Sequence, residues 1–163
     1  MTSKKTAHPH ETDALTLNGV EFTHRDIHTV VDLFYSRVQT DPLLSVPFMS
    51  VHDWPDHVKR LTHFWWIRFG GTPYMMSQYN PVEKHFFAGF NSELLAHWLK
   101  LFHATLKEKL SEDQYEIWAL ATLRMGHALA AKNEMYKQEY ERATEARSGG
   151  ESSDTNSRKS YNC

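Results

Sequence analysis

The sequence predicts an all-α fold on three observations. Apolar residues recur at three- and four-residue spacing along four long stretches, capping residues stand at the heads of those stretches, and nothing of comparable length alternates with a period of two. The Gly70-Gly71 pair and most prolines fall between the stretches, where helices stop.

The elements follow in order. Thr23 with Asp26 three residues on makes a capping pair, and Ile27, Val30, Val31, Phe34, Tyr35 and Val38 then recur at helical spacing up to Asp41-Pro42, so the first helix spans about 24 to 40. Asp53 caps a second, with Pro55 tolerated in the first turn and Trp54, His57, Val58, Leu61, Phe64 and Trp65 running to Gly70-Gly71. Asn80-Pro81 opens a short turn that carries His85. Asn91 or Ser92 starts the next long helix, with the stripe Leu95, Trp98, Leu99, Phe102, Leu106 and Leu110. Ser111-Glu112-Asp113-Gln114 has capping-box spacing, and Ile117, Ala121, Met125 and Ala128 mark one side of a final helix that runs beyond Tyr136.

Composition bounds the function. A chain of 163 residues, 40% apolar and 13% aromatic, can furnish one sizeable core. A net charge of -2 gives neither a basic field for nucleic acid nor a polybasic membrane signal. No run is long and apolar enough for a transmembrane helix, and the polar residues after Lys4 and Lys5 lack the apolar centre of a signal peptide, so a cytoplasmic protein is expected. The one cysteine, Cys163, is the last residue, which leaves nitrogen and oxygen to hold any metal within the fold. Residues 1–20 are polar and aperiodic, and the end of the chain from Ser148 has almost nothing to bury. The expected organisation is a mobile extension over 1–20, one helical domain over 21–143, and a disordered tail over 144–163.

Candidate chemistry gathers on the inner faces. His57, Leu61, Phe64, Trp65 and Arg68 fall at i, i+4, i+7, i+8 and i+11, giving one helix face that is aromatic in the middle and ends in a cation. A flat apolar macrocycle with carboxylate arms suits such a face. Tyr35 adds a hydroxyl and Trp98 an indole N–H, groups that want a partner when buried. His85, held in a capped turn between two long helices, is a candidate axial iron ligand. Taken singly, histidines on amphipathic helices are more often surface or satisfied core residues, and Tyr35 and Trp98 are more often packing. His24 and His28, at i and i+4, lack the third neighbour that a zinc site needs.

The order of residues resembles the truncated haemoglobin family, most closely its group III, from about residue 23 to about 136. The matching pieces are Phe34-Tyr35 with Asp41-Pro42-Leu43-Leu44 and Pro47-Phe48; Trp54-x-x-His57; His63-Phe64-Trp65; Pro81-x-x-x-His85; and Trp98-Leu99-Lys100-Leu101-Phe102. The resemblance implies a globin-like, two-over-two helical sandwich around haem b. It makes His85 the proximal ligand, Tyr35, His57 and Trp98 the distal residues, and Phe48, Leu61, Phe64, Trp65 and Phe102 the pocket walls. Arg60, Arg68 and Lys84 are candidates to pair with the propionates. The chain departs from the family at Tyr79, where a glycine is usual, and in the 12 residues from Phe86 to His97, fewer than expected.

Three function classes follow. The first is a haem protein that reversibly binds a diatomic ligand such as oxygen, nitric oxide or carbon monoxide. The second is a redox enzyme on the same haem, a nitric oxide dioxygenase or peroxidase that draws on an external reductase, since the chain holds no flavin motif. The third is a helical interaction module that has lost haem.

Overall fold

A computed structural model describes residues 7–76 and 91–152, which form a short hairpin and four helices: β1 (Ala14–Leu17), β2 (Val20–Thr23), α1 (His24–Thr40), α2 (Trp54–Arg68), α3 (Ser92–Lys109) and α4 (Glu112–Ser152).

The caps expected from the sequence are present. Thr23 Oγ1 accepts the Asp26 N–H at 3.0 Å while the Asp26 carboxylate accepts the Thr23 N–H at 3.0 Å, a reciprocal box that starts α1. Asp53 accepts the Asp56 N–H at 3.0 Å, with Pro55 in the first turn of α2. Asn91 accepts the Leu94 N–H at 2.9 Å ahead of α3. Ser111 and Gln114 repeat the box at the head of α4. Each cap supplies acceptors for N–H groups that the first helical turn cannot satisfy itself.

α1 packs against α2 and α3, and α3 against α4, while β2 lies on α1 and α4. The core they enclose is aromatic. Trp118 of α4, wholly buried, is ringed by Phe22, Trp65, Phe69 and Phe102 at centroid distances of 6.1, 5.4, 5.2 and 5.6 Å. Polar ties fix the helices in register. Arg37 of α1 donates to Thr105 Oγ1 at 3.1 Å and pairs with Glu108, both on α3. Gln114 Nε2 donates to the Glu21 carbonyl at 2.8 Å and to the Asp26 carboxylate at 3.2 Å, joining α4 to β2 and to the start of α1.

Both ends depart from the organisation expected from the sequence. Residues 14–20 are not an aperiodic extension: β1 and β2 pair antiparallel, Leu15 opposite Phe22 and Leu17 opposite Val20, around Asn18-Gly19. Both turn residues have positive φ, 48° and 79°, the conformation of a two-residue turn whose twist matches the strands. The hairpin is held because Phe22 is fully buried and Leu15, Leu17 and Val20 pack on the core. At the other end α4 continues through residues 144–152, where a disordered tail was expected. Its last buried apolar residue is Leu129, and the sequence beyond it is rich in Glu, Ala, Lys, Arg and Gln, residues of good or moderate helix propensity.

Candidate functional site

Tyr35, from α1, and His57, from the first turns of α2, meet edge to face with ring centroids 4.8 Å apart. Phe48, in the segment between the two helices, closes on both, 5.8 Å from Tyr35 and 6.0 Å from His57, and Trp54 stands one turn before His57 at 5.6 Å. Trp98, from α3, joins through Phe34, which lies 4.9 Å from Tyr35 and 5.1 Å from Trp98. Tyr35 and His57 are thus in direct ring contact, and Trp98 is linked to Tyr35 through Phe34.

The segment that carries Phe48 is anchored at its start. One oxygen of Asp41 accepts the Leu43 and Leu44 N–H groups, each at 2.9 Å, and the other accepts His97 Nε2–H of α3 at 2.8 Å. Burial alone would raise the pKa of Asp41. The hydrogen bonds from Leu44, His97 and Leu43 outweigh it and hold the carboxyl below its usual range.

The expected pocket walls divide between two environments. Leu61 is buried and Phe64 half-buried on the α2 face that carries His57. Trp65 instead points into the aromatic core, 5.4 Å from Trp118 and stacked at 6.0 Å on Phe102, and Phe102 in turn stacks on Trp98 at 4.7 Å and 9°. Trp65 thus supports the site through Phe102. Arg60 and Arg68 are exposed. Arg60 is engaged with Asp56 at 2.8 Å, and Arg68 makes no ion pair among the described residues. The expected proximal ligand His85, and with it Lys84, Tyr79 and the stretch that leads to α3, lie outside the described residues.

One feature of the distal side bears directly on a haem. The Trp98 Nε1–H is buried and has no acceptor among the described residues. A buried donor without an acceptor is costly, so its retention one ring, Phe34, away from Tyr35 fits a site completed by a ligand atom with negative character. Trp118 Nε1 shares the condition, but inside a wall of aromatic carbon. Phe48, Leu61 and Phe64, which belong to the core or pack on it, are apolar side chains of the kind that a porphyrin face needs.

The sequence reading assigned no structural role to three residues, Phe34, His63 and Tyr74. Phe34 bridges Tyr35 to Trp98, and its i−1 position beside Tyr35 in an apolar stripe was the available signal. His63, buried on α2, accepts the Tyr74 and Met75 N–H groups on Nε2 at 3.1 and 3.2 Å, which fixes the loop after α2 and puts the ring proton on Nδ1. Tyr74 OH and His24 Nε2 share a 2.8 Å hydrogen bond back to α1. No local spacing announces a contact between residues 24 and 74.

Comparisons with known proteins bear on the fold and the family. The family model described as "Bacterial-like globin" matches residues 22–131. A group III truncated haemoglobin from Campylobacter jejuni superposes with a TM-score of 0.60 at 22% identity, covering 72% of this chain and 94% of that one. A haemoglobin from the thermophilic phototroph Chloroflexus aurantiacus gives 0.55 at 23% identity, covering 66% and 90%. A comparison with curated protein sequences returns no match. No helix among the described residues is long and apolar enough to cross a membrane. With two thirds of its length inside the family model and the fold of the truncated haemoglobins, the chain belongs to the bacterial-like globins.

Proposed function

We propose that the protein binds haem b and, through it, a diatomic ligand held by donors from three helices. The observation that carries this reading is the buried Trp98 Nε1–H, which lacks an acceptor among the described residues and belongs to a ring that Phe34 links to the Tyr35–His57 pair. When bound, haem supplies a ferrous iron that coordinates the ligand and is kept reduced by an external electron donor.

The chain's own residues supply the rest. His85, which lies outside the described residues, would hold the iron. Phe48, Leu61 and Phe64 exclude water from the macrocycle faces, and Arg68, without an ion pair among the described residues, is better disposed than the Asp56-bound Arg60 to meet a propionate. Trp98 N–H, Tyr35 O–H and neutral His57 N–H donate to a ligand that gains partial negative charge. Each such bond is worth roughly 1 kcal/mol, so two together slow ligand escape by roughly one to two orders of magnitude. That kinetic signature suits sensing or redox chemistry better than oxygen transport.

The test is titration of the purified chain with hemin. A one-to-one complex with a strong Soret band, whose axial signature is lost in His85→Ala, is expected. A chain that remains colourless would end the haem reading, and unchanged ligation in His85→Ala would move the iron ligand elsewhere.

A further inference from the structure

On the side of α2 away from His57 lies a second concavity of about 390 Å³, formed where the residues before β1, the first turns of α1, the middle of α2 and the loop after α2 meet. Its volume falls within the range of small-molecule sites. His24, Thr62 and Tyr74 form the inner wall, the first two buried, while His8, His28 and Lys59 stand on the exposed rim.

The charges are one-sided. Arg25 on the rim is paired with Glu11 at 2.7 Å, and Lys59 makes no ion pair among the described residues, so the cavity holds one net positive charge before any imidazole is protonated. Three imidazoles, those of His8, His24 and His28, border the same space. His8 lies edge-on to His24 at 5.2 Å and to Tyr74 at 4.7 Å. Burial pushes the His24 pKa down, and positive charge on His8 or His28 pushes it further, against weaker opposite pulls from Asp13 and Glu11. Of the remaining titratable neighbours, His63 contacts Tyr74 from below and spends its Nε2 on the loop backbone. These groups do not assemble a metal site: among the described residues no cluster of three suitable ligands exists.

We propose that this cavity is a binding site for a small organic phosphate monoester. A phosphate group offers a charge near -2 with several acceptor oxygens, matched to the Lys59 ammonium and to the ring nitrogens of His8, His24 and His28 that are not taken by the Pro9 carbonyl or the Tyr74 hydroxyl. The cavity is larger than an inorganic ion requires, and Pro9, Met75 and the Tyr74 ring give the organic portion an apolar surface. Because an anion draws protons onto the imidazoles, binding is linked to proton uptake and strengthens as the histidines charge. The site is independent of the haem reading: it uses no residue assigned to the haem pocket.

Calorimetric titration of the full chain with glycerol 2-phosphate, inorganic phosphate and sulfate tests it. Sulfate stays dianionic at all relevant pH, so its pH dependence reports the protein's groups alone. One-to-one binding of glycerol 2-phosphate, tighter than inorganic phosphate, is expected, with sulfate affinity falling about tenfold from pH 6 to pH 8. Lys59→Gln should weaken all three about tenfold without changing the thermal midpoint of the free protein. Absence of saturable heat with all three anions would overturn the proposal, as would binding indifferent to Lys59→Gln. Equal affinity for phosphate and its glycerol ester would overturn the assignment of an organic ligand.

Discussion

Replacing Trp98 by Phe separates the indole's two roles, because the six-membered ring can keep its stack on Phe102 at 4.7 Å and its edge contact with Phe34 at 5.1 Å while the N–H is removed. In the haem-free protein the substitution relieves a buried donor without an acceptor among the described residues, worth roughly 1–3 kcal/mol, and loses apolar contact of about the same size from the smaller ring. The two nearly cancel, so the urea-derived stability should change by less than about 1 kcal/mol. In the haem-loaded protein no cancellation operates on the bound ligand. Loss of one donor, worth about 1 kcal/mol to a neutral acceptor and up to about 2 to a charged one, should speed ligand dissociation by roughly five- to thirtyfold in stopped-flow displacement. A variant that loses more than about 2 kcal/mol of stability without haem, yet releases ligand at the parent rate, would show that Trp98 is packing and nothing more.

Other expectations follow from the polar ties. His63→Leu keeps the volume but strips the acceptor from two backbone N–H groups, and should cost about 2–3 kcal/mol by urea denaturation; an unchanged midpoint would mean that the loop after α2 is held elsewhere. Burial holds His24, His63 and His103 below the ordinary histidine pKa, so the unfolded chain takes up protons first. Their contribution is complete above the ordinary value of about 6.5 and is lost as pH falls toward the depressed values, so stability should drop between pH 7.5 and 5.5, less steeply in His63→Leu. Asp41 works in the acid range: its lowered carboxyl adds stability above about pH 4 that disappears below it. Asp41→Ala should cost about 2 kcal/mol at pH 7 and weaken hemin binding by loosening the segment that presents Phe48; hemin affinity equal to the parent would detach that segment from the haem site.

What the sequence made legible was local, and for a physical reason. Caps at Thr23, Asp53, Asn91 and Ser111 act over three residues, and the apolar stripes act over one helix, so four helices could be bounded from residue order alone. The hairpin was equally local and went unread: Leu15 and Leu17, then Asn18-Gly19, then Val20 and Phe22 is an alternating pattern around the strongest two-residue turn signal, hidden by its shortness among polar neighbours. The extension of α4 rests on propensity without burial, a weak prior that the expectation of a tail overrode. The meeting of Tyr35, His57 and Trp98 was of another kind. It joins residues 22 and 41 positions apart, and only the resemblance to a family, not any spacing, connected them.

α2 shows how the two proposed binding surfaces can be kept apart on so small a core. Its residues at 57, 61 and 64 share one side, and those at 59, 62 and 66 fall about half a turn away, where Trp66 meets His24 at 5.2 Å and Lys59 and Thr62 line the second cavity. Between the two sides Trp65 locks the helix against Trp118 and Phe102, so neither surface has to supply the packing that holds α2 in place. His57 on one side and the exposed Lys59 on the other thereby stand only two positions apart. A charge added at residue 59 or removed from it therefore acts on the second cavity while the aromatic contacts of Tyr35, Phe48 and Trp54 continue to set His57.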